Sequence, residues 1–321
     1  MLFTYKFNFV KHLKSIKSVI LKNMCAKKVC CFGEILWDIF PEYKKLGGAP
    51  FNVATTLKGL GLEVEFISRI GKDILGDEIL HKVENFQIKT DFIQIDPLHP
   101  TGKVNVSINA EGIAKYNFQT DSAWDFIESN EKSLTLVNHS KAFIFGSLVA
   151  RGYSYTALKQ FLNVADFSVF DLNLRAPHYN NSLLIELMSK SHMLKFNDQE
   201  LYLISNLLNS PFNSMDQHIK FIAKETDTEI ICVTMGMFGA VLYHRNDFVY
   251  NSGFKIKLVD SVGAGDSFLG TLIYGLLSDD TPQNSLDRAC AMGALVCGSA
   301  GANPIISKNE LMDFMGVQNF G

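Results

Sequence analysis

Near the C-terminus the run Val262-Gly263-Ala264-Gly265-Asp266 opens a stretch in which Phe268, Leu269, Leu272, Ile273 and Leu276 recur at helical spacing. Glycines there let the backbone turn tightly and present N–H groups with no Cβ in the way. The helix N-terminus that follows itself favours negative charge. An anion pocket would then lie within one turn of a carboxylate. Transfer of a phosphoryl group to a hydroxyl needs that pair, donors for the equatorial oxygens and a base for the attacking oxygen. The same spacing equally describes a plain glycine-rich turn whose first-turn Asp is favoured by the helix dipole alone. It is not a Walker A loop, since neither Gly71-Lys72 nor Gly102-Lys103 has the upstream Gly or the following Ser/Thr. Nor is it a dinucleotide fingerprint, because Phe268 stands where Gly is required.

Other residues could serve the same chemistry. Asp38, in Gly33-Glu34-Ile35-Leu36-Trp37-Asp38, is acceptor-only when ionised and can take two adjacent hydroxyls; it reads equally as an ordinary strand-end Asp. Asn197-Asp198-Gln199-Glu200 has the spacing of a helix capping box, a structural reading that leaves room for phosphates beside the capped end. Thr234-Met235-Gly236 with Gly239 is a weak pattern by itself.

The elements that must position these residues alternate. Short apolar strands are expected at Val29–Phe32, Val64–Ile67, Ala142–Phe145, Ser168–Leu172, His192–Lys195 and Ile230–Thr234, with helices such as Pro50–Gly59 and Leu183–Lys190 between them. Such alternation argues for a parallel sheet covered on both faces. One region departs from it. Val104, Val106 and Ile108 alternate strictly, Ala110-Glu111-Gly112 turns the chain, and Tyr116 and Phe118 follow at strand spacing, which reads as a hairpin. With a second extended piece at Ile35–Phe40 it would make a small lid on one edge of the sheet. Tyr116 and Phe118 could shield a ligand from water or simply pack the hairpin; packing is the expectation.

Two segments carry a family resemblance. Val259-Asp260-Ser261-Val262-Gly263-Ala264-Gly265-Asp266 resembles the C-terminal signature of the ribokinase-like (PfkB) carbohydrate kinases. Gly47-Gly48-Ala49-Pro50-Phe51-Asn52-Val53-Ala54 resembles their N-terminal signature, in the family's order. The likeness spans Val29 to Ile306. It implies a three-layer α/β/α sandwich with a mostly parallel central sheet and a small antiparallel β lid, formed here by about 35–46 and 101–121 within one domain at 29–321. It further implies Asp266 as catalytic base, with Gly263, Ala264 and Gly265 as the anion hole. Gly48, Asn52 and Asp38 would contact the sugar, and Arg175 would lie near substrate or phosphate, although a buried structural ion pair is an equal reading of that arginine. Asn197 and Glu200 would position magnesium-bound ATP phosphates through water, and Thr234, Gly236 and Gly239 would lie against the nucleotide. Asp260 and the stretch Gly301-Ala302-Asn303-Pro304 resemble loops that hold potassium in many members.

Finer features resemble the bacterial fructokinase branch: Gly33–Phe40, Ala123-Trp124-Asp125-Phe126-Ile127, Gly146-Ser147-Leu148 with Arg151, and Asp171-Leu172-Asn173-Leu174-Arg175. Two positions depart from the pattern, Ser261 where Thr is usual and Leu172 where that branch commonly has Pro. The resemblance implies ATP-dependent phosphorylation of a primary hydroxyl of a free sugar, fructose to fructose 6-phosphate. Ribose, 2-keto-3-deoxygluconate and nucleosides are the alternative acceptors, and a catalytically silent sugar-binding regulator is the alternative role. It also implies a homodimer through the lid.

Composition bounds the rest. At 321 residues, 47% hydrophobic and a net charge of −3, the chain can bury a large core and offers no electrostatic footprint for nucleic acid or an anionic membrane. The absence of any CxxC pair, with Cys30, Cys31, Cys232, Cys290 and Cys297 in apolar stretches, argues for buried thiols in a reducing compartment, and a cytoplasmic location is expected. No HExxH or Cys/His cluster suggests zinc. Residues 1–28 are basic, with Lys6, Lys11, Lys14, Lys17, Lys22, Lys27 and Lys28 interrupting every apolar run. They read as a disordered tail, as an upstream extension ahead of a start at Met24, or as a leader, but not as a spanning helix.

Overall fold

Side chains alternate along β1 (Lys28–Phe32): Val29 and Cys31 enter one apolar cluster, Cys30 and Phe32 another on the opposite face. A strand buried on both sides belongs in the middle of a sheet covered by helices. The computed structural model, which describes residues 27–108, 114–299, 301 and 304–318, has that architecture. Most of the basic extension, the turn Ala110-Glu111-Gly112, residues Ala302 and Asn303, and the side chains of Tyr116 and Phe118 lie outside the described residues.

β1 pairs in parallel with β4 (Glu63–Gly71) on one side and β8 (Ala142–Gly146) on the other. β5 (Ile93–Asp96) extends the sheet beyond β4, while β9 (Ser168–Asp171), β10 (Met193–Asn197) and β11 (Ile230–Thr234) follow β8, all parallel. The edge is finished antiparallel by β12 (Ala240–His244) and β13 (Asp247–Asn251). Because the chain leaves β1 in one direction for β4 and in the other for β8, a crevice opens at the carboxyl ends of β1 and β8.

The helices Ala49–Gly59, Ile74–Asn85, Ala264–Leu277 and Pro282–Cys297 cover the face that receives Val29 and Cys31. The helices Glu131–His139, Ser154–Leu162, Asn181–Ser189, Asp198–Leu207 and Met215–Thr226 cover the other. Among the described residues no helix is long and apolar enough to cross a membrane.

The lid is a second, four-stranded sheet. β2 (Leu36–Ile39) and β3 (Lys44–Gly47) form one antiparallel hairpin, β6 (Lys103–Ile108) and β7 (Ala114–Phe118) another, and β2 joins β6 in parallel. Its stems are pinned to the main body. Trp37 Nε1 donates to Leu75 O at 3.0 Å, and Thr101 donates through N and Oγ1 to Asp73 at 2.8 and 2.7 Å. Asp73 also caps the helix Ile74–Asn85 by accepting from Gly76 N, so one carboxylate ties lid, strand end and helix together. Arg151 clamps the lid's return: it donates to both oxygens of Asp125 and to Gln119 O, and its guanidinium lies 4.1 Å from the Trp124 ring centre.

Candidate active site

The helix Ala264–Leu277 begins at Gly263, whose φ of 78° is left-handed and suits glycine, and no side chain caps it. Its first-turn N–H groups have no partner within the helix, Ala264 N donating instead to Ser261 O at 3.4 Å, and an anion is favoured at such an end. Asp266 sits in that turn. Close packing against Ala49–Gly59 fixes it. A Cβ on Gly270 would meet Thr56 at 3.0 Å, and Thr56 Oγ1 bonds Ser267 Oγ at 3.2 Å. One turn away on the same helix, Asn52 Nδ2 donates to Asp266 Oδ2 at 2.7 Å. The two glycine-rich segments thus meet in the crevice beside β1.

Burial, and then the negative charge of Asp171, push the Asp266 carboxyl up to about 6; the Asn52 bond, Lys195 and Arg175 hold it from going further. Neither Asp171 nor Lys195 was a candidate from sequence. Lys195 Nζ bonds both Asp171 oxygens at 3.0 and 3.1 Å, and both residues are buried. Strand parity explains their location. Val169 and Met193 face the cluster that includes the helix Ala264–Leu277, so Asp171 and Lys195, two residues on, face the same way. Lys195 Nζ lies 3.4 Å from where a Gly265 side chain would begin. Burial alone would lower the Lys195 ammonium, but Asp171, Glu200 and Asp266 overcome it and hold it raised. A lysine within an otherwise apolar strand, Met193-Leu194-Lys195-Phe196, was the available sequence signal.

Across the crevice, Asp38 in β2 stands opposite Lys45 in β3. Its Oδ2 fills the space beside Gly47, lying 2.5 Å from where a side chain there would begin. Burial raises Asp38 to about 6, against the pull of Lys45 and Arg175. Gly48 has φ +114°, and a Cβ there would come within 2.3 Å of Glu34 O, so the loop tolerates only glycine. Glu34 is buried, and its carboxyl is pushed up to about 7 by burial. Arg175 is exposed and hydrogen-bonded to Leu174 O, which excludes the buried ion pair. Its charge acts on Glu34, Asp38 and Asp266 alike.

Toward β10 and β11, Asn197 and Glu200 form the reciprocal capping box of Asp198–Leu207. Glu200 does more than cap, since its Oε1 accepts Leu174 N at 2.7 Å and so fastens the loop bearing Arg175. Thr234 pairs with Asn197 in register at the adjacent strand end. Gly236 has open space at its Cβ position, whereas a Cβ on Gly239 would lie 1.9 Å from Asn251 O, so Gly239 serves the closure of the edge strands. Asp260 accepts from Val262 N and Gly301 N and lies 3.5 Å from Lys45 Nζ. Burial opposes it, but these contacts hold Asp260 below the usual carboxylate range. Among the described residues no group of three or more His, Cys, Asp or Glu is placed to hold a metal.

Comparison with known proteins gives this arrangement a context. The model of the pfkB family carbohydrate kinases matches residues 26–309. The chain is 28% identical to the Escherichia coli fructokinase over 297 residues, covering 86% of this chain and 94% of that protein. It is 26% identical to fructokinase-2 of Solanum habrochaites, covering 87% and 92%. Among solved structures, fructokinase with bound ATP from Xylella fastidiosa superposes with a TM-score of 0.80 at 22% identity, covering 92% of this chain and 99% of that one. The 2-dehydro-3-deoxygluconokinase of Thermotoga maritima gives the same score and identity, covering 90% and 99%.

Proposed function

The chain belongs to the pfkB family of carbohydrate kinases, and from that premise we propose that it transfers the γ-phosphoryl group of ATP to a primary hydroxyl of a free sugar, converting fructose to fructose 6-phosphate. The observation that carries this reading is the 2.7 Å bond between Asn52 and Asp266 in the first turn of a helix opened by Gly263. A carboxylate held there can take the proton of an attacking hydroxyl. The new O–P bond forms as the bond to ADP breaks, with the transferred group lying on the N–H groups of Gly263, Ala264 and Gly265. Asp38, Gly48, Asn52 and Arg175 hold the sugar. Thr234, Gly236 and Gly239 lie along the nucleotide.

Both Glu200 oxygens are engaged by backbone N–H groups, so Asn197 and Glu200 fit a magnesium ion only through its water shell. That ion, when bound to the phosphates, offsets their charge. Asp260 is the ionised oxygen donor beside Gly301 that suits a potassium ion, although Lys45 already brings a positive charge to it. Self-association through the lid is part of the same reading, and sedimentation of the purified protein tests it.

Fructose is preferred because the curated relatives named above are fructokinases over nearly their whole length. An ADP-release assay across fructose, ribose, 2-keto-3-deoxygluconate, adenosine and fructose 6-phosphate tests it, with fructose expected to give the highest kcat/KM. A higher value for another acceptor reassigns the substrate. Sugar binding without turnover of any acceptor would instead mark a silent regulator.

A further inference from the structure

Glu34 lies two residues beyond the end of β1 and is 3% exposed. The N–H groups of Glu34 itself and of Ala49 lie against its carboxylate and favour the charged form. Ala49 opens the helix that carries Asn52, and that helix has Gly48 as its N-cap with no side chain capping it. A carboxylate from just beyond β1 thus lies near this uncapped helix end, where negative charge is favoured. Its Oε2 is buried and has no hydrogen-bond partner among the described residues. A buried acceptor left unmatched is destabilising, and such orphans in native structures call for an explanation.

The surroundings supply one. The charges of Asp266 and Arg175 both act on Glu34, and its backbone oxygen is what forbids a side chain at Gly48. Glu34 therefore lies behind the crevice that holds Asp266, between Gly48 and the end of β1. We infer that Glu34 is a further sugar-binding residue, its free Oε2 accepting a hydroxyl of the acceptor other than the one that Asp266 deprotonates. The inference rests on the crevice being the acceptor site. A carboxylate preset by a helix N-terminus makes a directional acceptor, and it would select for a sugar that carries a hydroxyl at that point. Sugars lacking it would leave the oxygen buried and unmatched, which is how polar sites reject analogues strongly.

The test pairs Glu34→Ala and Glu34→Gln of the full chain with fructose and its monodeoxy analogues. It reads both kcat/KM and the sugar-induced rise in Tm without ATP. Glu34→Ala is expected to lower kcat/KM for fructose by about 10–100-fold, chiefly through KM. One deoxy analogue should be used equally well by the wild type and Glu34→Ala, because the partner hydroxyl is already gone. Glu34→Gln keeps the volume and guards against a folding defect. If every deoxy penalty simply multiplies the Glu34→Ala penalty, Oε2 meets no hydroxyl and the inference is wrong. If the wild type phosphorylates fructose normally and neither variant changes KM or the sugar-induced Tm shift, Glu34 serves the fold alone and the inference is wrong. A wild type that neither binds nor phosphorylates any sugar overturns the acceptor-site reading itself and this inference with it.

Discussion

Asn52 Nδ2 lies 2.7 Å from Asp266 Oδ2, a bond between residues 214 positions apart. It aims the carboxylate and favours its ionised form, so removing the donor has a defined sign. Asn52→Ala is expected to move the acidic limb of the kcat/KM profile above its wild-type position near pH 6. A pH–rate profile in which that limb stays put would mean that the Asn52–Asp266 bond does not tune the group that limits the rate.

Replacing Asp266 by Asn should lower kcat by about 10²–10⁴ while the protein remains folded. The same change should alter stability with pH. Because the folded carboxyl is raised to about 6, the native state is favoured below the unfolded value near 3.8 and loses that advantage as pH rises through 6. Asp266→Asn should therefore raise Tm at pH 8 and leave it nearly unchanged at pH 4, as thermal melts at the two values will show.

Lys195→Met strands Asp171 without its partner in a buried site, a loss of about 3–5 kcal/mol in denaturant unfolding. The double variant Asp171→Asn, Lys195→Met should recover much of it. In either variant that retains turnover, Asp266 loses a nearby cation. With Lys195→Met alone, the acidic limb of the pH–rate profile should shift upward.

A methyl group at Gly48 meets Glu34 O and must adopt a φ of +114°. Gly48→Ala should lower stability by about 1–3 kcal/mol from the backbone alone, and it should raise KM for the sugar more than KM for ATP. Equal effects on both constants would indicate global damage instead.

Activity is expected to rise when potassium replaces a large organic cation in the buffer, and Asp260→Ala should abolish the difference. Equal rates in potassium-free and potassium-containing buffers would remove the cation from the mechanism.

The glycine turns and the strand–helix alternation were legible because each is written locally, in residue type and spacing, whereas Asp266 read equally as a plain turn residue and Asn52 entered only through the family resemblance. Asp171, Lys195 and Glu34 were not legible, since a lone charge at a strand end has many uses. Only register and parity reveal that Asp171 and Lys195 face each other beneath Gly265. β12 and β13 escaped for a different reason. Their two-residue turn is Arg245-Asn246, with φ of 49° and 75°, a left-handed pair in which no glycine announces the hairpin. For Arg175 the two readings of the sequence were separated by exposure alone.

The placement of β1 between β4 and β8 also governs how the chain must be made. One edge of β1 can close once Gly71 has been synthesised, but the other waits for Ala142–Gly146. At about 5–20 residues per second, the intervening stretch keeps an apolar strand edge open for roughly 4–14 s. A nascent chain halted before Ala142 is therefore expected to aggregate or to require a chaperone, whereas one halted well beyond Gly146 already has both edges of β1 paired.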